Sequence, residues 1–417
     1  MWSKLRETFK RILVNRNLAY LWLGQVISQA GDSVYEIGLL WLMLEISGSK
    51  SQTGLVAMSG YLPTLLFGML GGALADRFHR KRLMLLADAA RGVLVLFIPL
   101  LYYLNGLNGL LLGLFTFVLA MFNTVFNPAR DATIAHLVEK EQLLQANSLV
   151  QTSWQFALLL GPALAGLLIP LVGIVHLFNV DAFTFFLSFW FISRIVVKYP
   201  GSSQKTTDRL SLKEHFLASL RDVREGLRYA RDDRRIWALL WVTAIDNIFI
   251  MGPAIVGTPI FVREILHETA DKYAFTQIAF AVGMLTGTVL LNMLGKRFRH
   301  SQVLLWGIVL DGLTFLPLLW VRSFTAMFIT LAVHSLVIPM IIIPRPTLIQ
   351  KIVPPHLQGR IFSMISVAVV GFTAISMALT GVVSEWIPIN RLYAMIAMLA
   401  AGCGAAGWLI KDFRTAP

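Results

Sequence analysis

Four polar residues recur along the first long apolar stretch of the chain: Gln25, Gln29, Asp32 and Glu36, spaced four, three and four apart. On a helix at 100° per residue they fall within an arc of roughly 60°, with Ser28 beside them. The other face carries Ile27, Ala30, Val34, Ile37 and Trp41. If the stretch crosses a bilayer, a carboxylate near its middle costs at least about 2.5 kcal/mol, so two on one stripe must face a cavity or find partners. Carboxylates one turn apart also repel, which favours a proton on one of them near neutrality. Such a stripe suits a carrier that is charged when empty and neutralised by a proton or a cationic substrate. The competing reading is an internal hydrogen-bonded pair that fastens this helix to a neighbour. Other polar groups interrupt later apolar runs: Thr116, Asn123 and Asn127 on one face, Asp246 with Asn247, Asp311, and His334. Histidine titrates near pH 6.5 when unperturbed, which suits a proton site. Asp311, with Gly307 and Thr314 nearby, reads as structural, and Asp181 reads as interfacial.

The elements that must position these groups follow from composition. Of 417 residues, 56% are hydrophobic and 14% charged, with a net charge of +13. Ordinary soluble domains are roughly 25% charged, and this much apolar surface cannot be hidden inside a water-soluble globule. The same figures exclude disorder and a collagen-like fibre, and a single cysteine, Cys403, excludes an internal disulfide or a cysteine-rich metal site. A helix needs about 20 mostly apolar residues to cross a bilayer. Such stretches fall near 18–44, 54–75, 83–104, 109–128, 145–170 and 177–196, and again near 236–261, 273–294, 302–321, 324–343, 359–384 and 391–410. Runs such as LLLGLFTFVLA do not alternate, which rules against a transmembrane barrel. The expected fold is an all-α polytopic membrane protein with twelve spans in two halves of six.

Positive charge gives the orientation. Thirty of the 36 Lys and Arg fall in segments on the side of the N-terminus, five in the opposite loops, and Arg91 lies within a span. Bases gather on the cytoplasmic side of membrane proteins, so both termini are expected inside, in the inner (cytoplasmic) cell membrane. The surplus is dispersed over short loops, which removes the support for nucleic-acid binding. Residues 1–17 repeat Trp2, Leu5, Phe9 and Ile12 at helical spacing among bases, as an N-terminal interfacial amphipathic helix would. No cleaved signal is read there. Six-helix bundles are expected over 18–197 and 236–410, with a cytoplasmic tail at 411–417. The 198–235 interval between the bundles carries Leu212, Phe216, Leu220, Val223 and Leu227 on one side of an amphipathic helix. That helix is expected to be a connector packed under the bundles, with a regulatory or partner-binding role as the alternative.

The two halves repeat each other weakly. PARDATIAHLV aligns with PRPTLIQKIV at an offset of 215, placing Arg130 on Arg345, Ile134 on Ile349 and Val138 on Val353. Arg77–Phe78 meets Arg297–Phe298 at an offset of 220. Between the second and third spans stands GGALADRFHRKR. Here the chain resembles the major facilitator superfamily of secondary transporters, over essentially its whole length. That family's loop signature runs Gly, three residues, acid, base, one residue, Gly, two bases, and Gly72, Asp76, Arg77, Arg80 and Lys81 occupy its places. His79 stands where the second Gly is usual, and Lys296 replaces the acid in the other half. The resemblance implies a cytoplasmic gate in which Asp76 caps a helix and Arg77 and Arg80 answer acids or headgroups, with Asp88, Arg91 and Arg130 in the same network. ALLLGPALAG, through Gly161, Pro162 and Gly166, is similar to the antiporter motif of proton-coupled drug exporters, with Ala157 and Ala165 in place of Gly. With NPARDATIAHLVEKEQLLQANSL, the likeness is to drug:proton antiporters of the group that includes macrolide and enterobactin exporters.

In that superfamily the first, fourth, seventh and tenth spans line the cavity, which favours Asp246, Asn247 and His334 over Asp311 and adds Asn123 to the Gln25–Glu36 stripe. The expected activity is proton-coupled export of an amphipathic small molecule by alternating access, with protons, substrate and bilayer as partners and a monomer as the working unit. A lipid or lysophospholipid flippase of the same fold is the alternative, and a non-transporting receptor or scaffold a further one. Neither a GxxxxGK[ST] phosphate loop nor an HExxH cluster occurs, and no cofactor, metal or enzymatic activity is expected.

Overall fold

The computed structural model describes residues 15–197, 224–294 and 298–417, apart from the side chains of Met69, Asp76 and Leu294. The helix expected over 1–17 and most of the one expected over 212–227 lie outside the described residues, as do Lys296 and Arg297. Residues 224–232 are helical, with Leu227 exposed. Among the described residues there is no strand, and nine helical stretches are long and apolar enough to cross a membrane.

The chain divides into two compact units, and their border differs from the expected halves. One unit holds the described residues up to Leu39 and from Leu66 to 197; the other holds Leu40–Leu65 and everything from 224 onward.

The first unit takes most of α1 (Arg16–Ser47), the end of α3 (Leu62–Arg77), and α4 (Arg80–Tyr103), α5 (Gly109–Leu137), α6 (Leu143–Val172) and α7 (His176–Ser193). Asn108 starts α5 by accepting the Leu111 amide at 3.0 Å, which satisfies one of the helix's free donors. Leu18, Leu21, Met84, Phe126, Ile134, Leu149 and Ile192 form one buried apolar cluster. Helices approach closely where a side chain is missing. A Cβ on Gly31 would stand 2.0 Å from the Thr184 hydroxyl, and one on Gly161 would stand 2.4 Å from the Ser33 Cβ. Both positions therefore bring a neighbour against α1 next to Asp32.

The second unit begins with the end of α1 and with α2 (Lys50–Ser59), capped by Ser49. It continues with α8 (Arg234–Gly252), a wider turn over Pro253–Gly257, α9 (Thr258–Glu264), α10 (Ala270–Leu294) and α11 (His300–Phe315). The last group is α12 (Phe324–Ser335), α13 (Pro339–Ile342), α14 (Pro344–Ile352), α15 (Pro355–Ser384), α16 (Ile389–Gly407) and α17 (Lys411–Arg414). Pro253 lacks an amide donor and widens the helix after Gly252, and the Tyr393 hydroxyl donates to its carbonyl at 2.6 Å. Pro339 and Pro344 break the tenth expected span just after His334.

Residues 40–65 join this unit through small side chains and polar links. A Cβ on Gly54 would fall 2.5 Å from the Met377 carbonyl, so α2 lies directly on α15. Glu385 accepts from the Ser51 amide at 2.9 Å and the Ser49 hydroxyl at 3.0 Å, and Lys50 pairs with Glu264 at 3.1 Å. Arg263 donates to the Leu44 carbonyl. The Ser51 amide holds the Glu385 carboxyl below its ordinary value.

Candidate functional site

In the first unit the polar stripe of α1 faces its neighbours. The Gln25 amide oxygen accepts from Arg130 on α5 at 2.9 Å, and that of Gln29 accepts from the Ser153 hydroxyl on α6 at 2.9 Å. Gln25, Ser28, Gln29 and Asp32 line one cavity of about 400 Å³ together with Arg91, Asn123, Asn127, Arg130, Gln151 and Trp154. Glu36 is accessible but is not part of this lining. The cavity's size falls within the roughly 300–1,000 Å³ range of small-molecule sites, although its wall is unusually polar.

Of the two arginines lining this cavity, Arg91 is almost fully buried. It donates to Asp88 one helical turn earlier and to Asn123 on α5. Its guanidinium lies between the rings of Phe126 and Phe185, 4.6 and 4.4 Å from their centres. Two ring faces and two acceptors fix the fork, which a lysine's point charge would not allow. Asp88 is completed by the Ser188 hydroxyl at 2.8 Å. The fields of Arg91 and Asp88 both reach Asp32.

The gate-loop residues have local roles in the same unit. Arg80 donates to the Ala132 carbonyl at 3.3 Å, and Lys81 to the Ser193 and Ile195 carbonyls at 2.8 and 2.7 Å. Cations at helix ends satisfy free carbonyls and oppose the helix dipole. His79 has φ −68°, an ordinary extended conformation, so the departure from Gly introduces no strain. Gly72 has nothing within 4 Å of a built Cβ, whereas one on Gly71 would fall 1.9 Å from the Thr124 carbonyl. The close approach belongs to Gly71. Gly161 packs on α1, and Pro162 and Gly166 are buried with it in α6. The Asp76 side chain lies outside what the structure describes.

The second unit has its own polar core. Arg345 stands 3.8 Å from Asp246, and His334 stands 3.6 Å from Asp311. Asn247 turns away from both, donating to the Thr243 carbonyl at 2.7 Å and accepting from Thr373 at 3.3 Å.

The family described as transmembrane secretion effectors, a branch of the major facilitator superfamily, matches residues 11–413. The chain belongs to it. Macrolide efflux protein A of Streptococcus pyogenes is 24% identical over 400 residues, which cover 94% of this chain and 96% of that protein. The multidrug efflux pump Tap of Mycobacterium tuberculosis is 24% identical over 390 residues, 92% of this chain and 91% of the pump. Among solved structures, the nucleoside transporter NupG aligns with a TM-score of 0.73 at 12% identity, over 94% of this chain and 100% of that one. A bacterial homologue of the human lysosomal transporter Spinster aligns at 0.68 with 16% identity, over 96% of each chain. The all-α fold of a multi-pass major facilitator transporter is thereby shown.

Within this major facilitator chain, Gln25, Gln29, Asp32, Arg91, Asn123 and Arg130 come together in one cavity. Asp88 stands behind Arg91, and Asp246, Asn247 and His334 belong to the other unit. Asp181 is buried, 1% exposed, and its carboxylate would meet a Cβ on Gly31 at 2.6 Å. Its charge interacts with that of Asp32. The signal that could have found it is the spacing of Asp181, Thr184 and Ser188, three and four apart, which marks a polar stripe on α7.

Proposed function

We propose that this protein is a proton-coupled antiporter that exports an amphipathic small molecule, a macrolide or similar drug being the class its efflux relatives suggest. The observation that carries the reading is the α1 cavity, where the Asp32 carboxylate shares a polar pocket with a rigidly held Arg91. With Asp32 ionised, Arg91 faces a counter-charge; with Asp32 protonated, the pocket becomes more positive and releases a cationic guest. Proton and substrate thus compete for one carboxylate, which is the condition for exchange. Glu36, one turn further along α1, relays the proton. The twelve-span topology with both termini cytoplasmic, a monomeric working unit and alternating access complete the proposal.

The test is export of radiolabelled erythromycin from proteoliposomes under an imposed pH gradient, comparing wild type with Asp32→Asn/Glu36→Gln. Gradient-driven movement is expected to fall at least about tenfold in the double variant, the scale of a single proton-transfer group's contribution. Undiminished gradient-driven export by that variant removes these acids from the coupling step.

A further inference from the structure

We infer that Asp311 and His334 form a second proton-binding site, closed off inside the second unit and separate from the α1 cavity. This rests on the antiporter reading only for its use in transport; the site itself stands on its geometry.

The two residues are 2% and 1% exposed. The His334 ring stacks on Phe315, with centroids 3.7 Å apart, and meets the edge of Phe280 at 5.9 Å. Its polar surroundings are acceptors. Nδ1 lies 2.9 Å from the Thr314 hydroxyl, whose own proton goes to the Leu310 carbonyl at 2.7 Å. The Asp311 carbonyl also lies against the ring. Nε2 points at the Asp311 Oδ1 from 3.6 Å, and both of these buried atoms lack a hydrogen-bond partner. With Nδ1–H donating to Thr314, a neutral ring would turn a bare Nε2 lone pair toward a carboxylate oxygen. A proton between Nε2 and Oδ1 removes that clash, whichever atom holds it. Closing 3.6 Å to hydrogen-bond length takes a small side-chain rotation.

The site also tolerates losing the proton. If the Thr314 hydroxyl turns from the Leu310 carbonyl to Nδ1, the ring keeps its single proton on Nε2 and donates it to the Asp311 carboxylate. One proton leaves the site, the Thr314 hydroxyl exchanges the Leu310 carbonyl for Nδ1, and no ring nitrogen is stranded in either state. Charge fits the same count. Among the described residues, the Asp246 field on α8 reaches Asp311, and Asp246 in turn stands 3.8 Å from Arg345 on α14. Two carboxylates against one guanidinium are neutralised by one proton. Among the described residues, Tyr393 packs on Phe315 and donates to the Pro253 carbonyl, and a tyrosine is neutral near pH 7.

The experiment is ring-¹⁵N histidine NMR of the full-length protein in lipid nanodiscs without substrate, between about pH 5 and 9, the range in which histidine-linked sites respond. His334→Gln assigns the signal. Nδ1 of His334 is expected to change from protonated to bare as pH rises in wild type. In Asp311→Asn the Nδ1 state is expected not to change with pH, because the carboxamide does not titrate and can satisfy Nε2 with either its oxygen or its amide. A Nδ1 signal independent of pH in wild type, or an unchanged titration in Asp311→Asn, overturns the site. If Asp311→Asn does not fold, Thr314→Val serves in its place, because it removes the hydroxyl that stabilises bare Nδ1 and should abolish the bare state. Bare Nδ1 at high pH in that variant counts against the proposal. For coupling, Asp311→Asn is expected to keep erythromycin equilibrium exchange while losing at least about tenfold in gradient-driven export. A wild type without gradient-driven export defeats the antiporter reading and leaves the NMR result standing.

Discussion

The polar clusters of the two units solve the same problem in different ways. In the first, Arg91 is held by two rings, Asp88 and Asn123, and the cluster opens onto a cavity shared with Asp32. In the second, Arg345 stands a loose 3.8 Å from Asp246, and Asp311 and His334 are shut in an aromatic slot. A fixed cation beside an accessible acid suits a site where substrate and proton exchange. A closed pair with orphaned atoms suits storage of a proton alone. The difference teaches that intramembrane charge is not one category: its use depends on how closely the charged partners are held and whether the cluster is open.

The sharpest way to break this comparison is to remove each cation. Arg91→Met leaves Asp88 buried without its partner, and should destabilise the protein by about 3–5 kcal/mol, the scale for breaking a buried pair. Arg345→Met should cost visibly less, since its guanidinium stands 3.8 Å from Asp246, beyond hydrogen-bond reach. Thermal unfolding of the purified proteins checks the order; equal losses would mean the two clusters are equally tight.

Next in size are the neighbouring glycines of the gate loop. Gly71→Ala drives a methyl into the Thr124 carbonyl and should lose about 1–3 kcal/mol, as overpacking does. Gly72→Ala meets open space and should stay within about 0.5 kcal/mol of wild type. A reversed order would show that the tight α3–α5 approach is misplaced.

The smallest effect is in the second unit at Glu385. Its carboxyl lies below the ordinary 4.5 in the folded protein, so its contribution is present above that pH and lost as pH falls through the lowered value. Wild type and Glu385→Gln should therefore differ slightly in melting temperature at neutral pH and converge in acid. A difference that grows on acidification would contradict the Ser51 contact.

Much of this arrangement was legible in the chain. The Gln25–Glu36 stripe is a short-range pattern, and an expensive polar group on an apolar helix has few uses, so α1 pointed to its cavity. Asp181 was hidden because it stands near the start of an apolar run, where a carboxylate is usually at the membrane surface; only contact with Gly31 shows it is buried beside α1. The allegiance of residues 40–65 was equally hidden, because it depends on Gly54 meeting α15 more than 300 residues away, and nothing local encodes that meeting. Asp311 read as structural because its partner, His334, lies on another helix whose break after Ser335 is set by Pro339 and Pro344. Arg91, expected in the gate network, is held in the cavity by aromatic rings from α5 and α7, a tertiary contact that spacing alone does not reveal.

The central claim is that proton and drug compete at Asp32. Erythromycin added to purified, weakly buffered protein near pH 6 tests it directly through the change in bulk pH. Wild type is expected to release protons on binding, and Asp32→Asn to bind without release. Equal proton release by both proteins would contradict the claim.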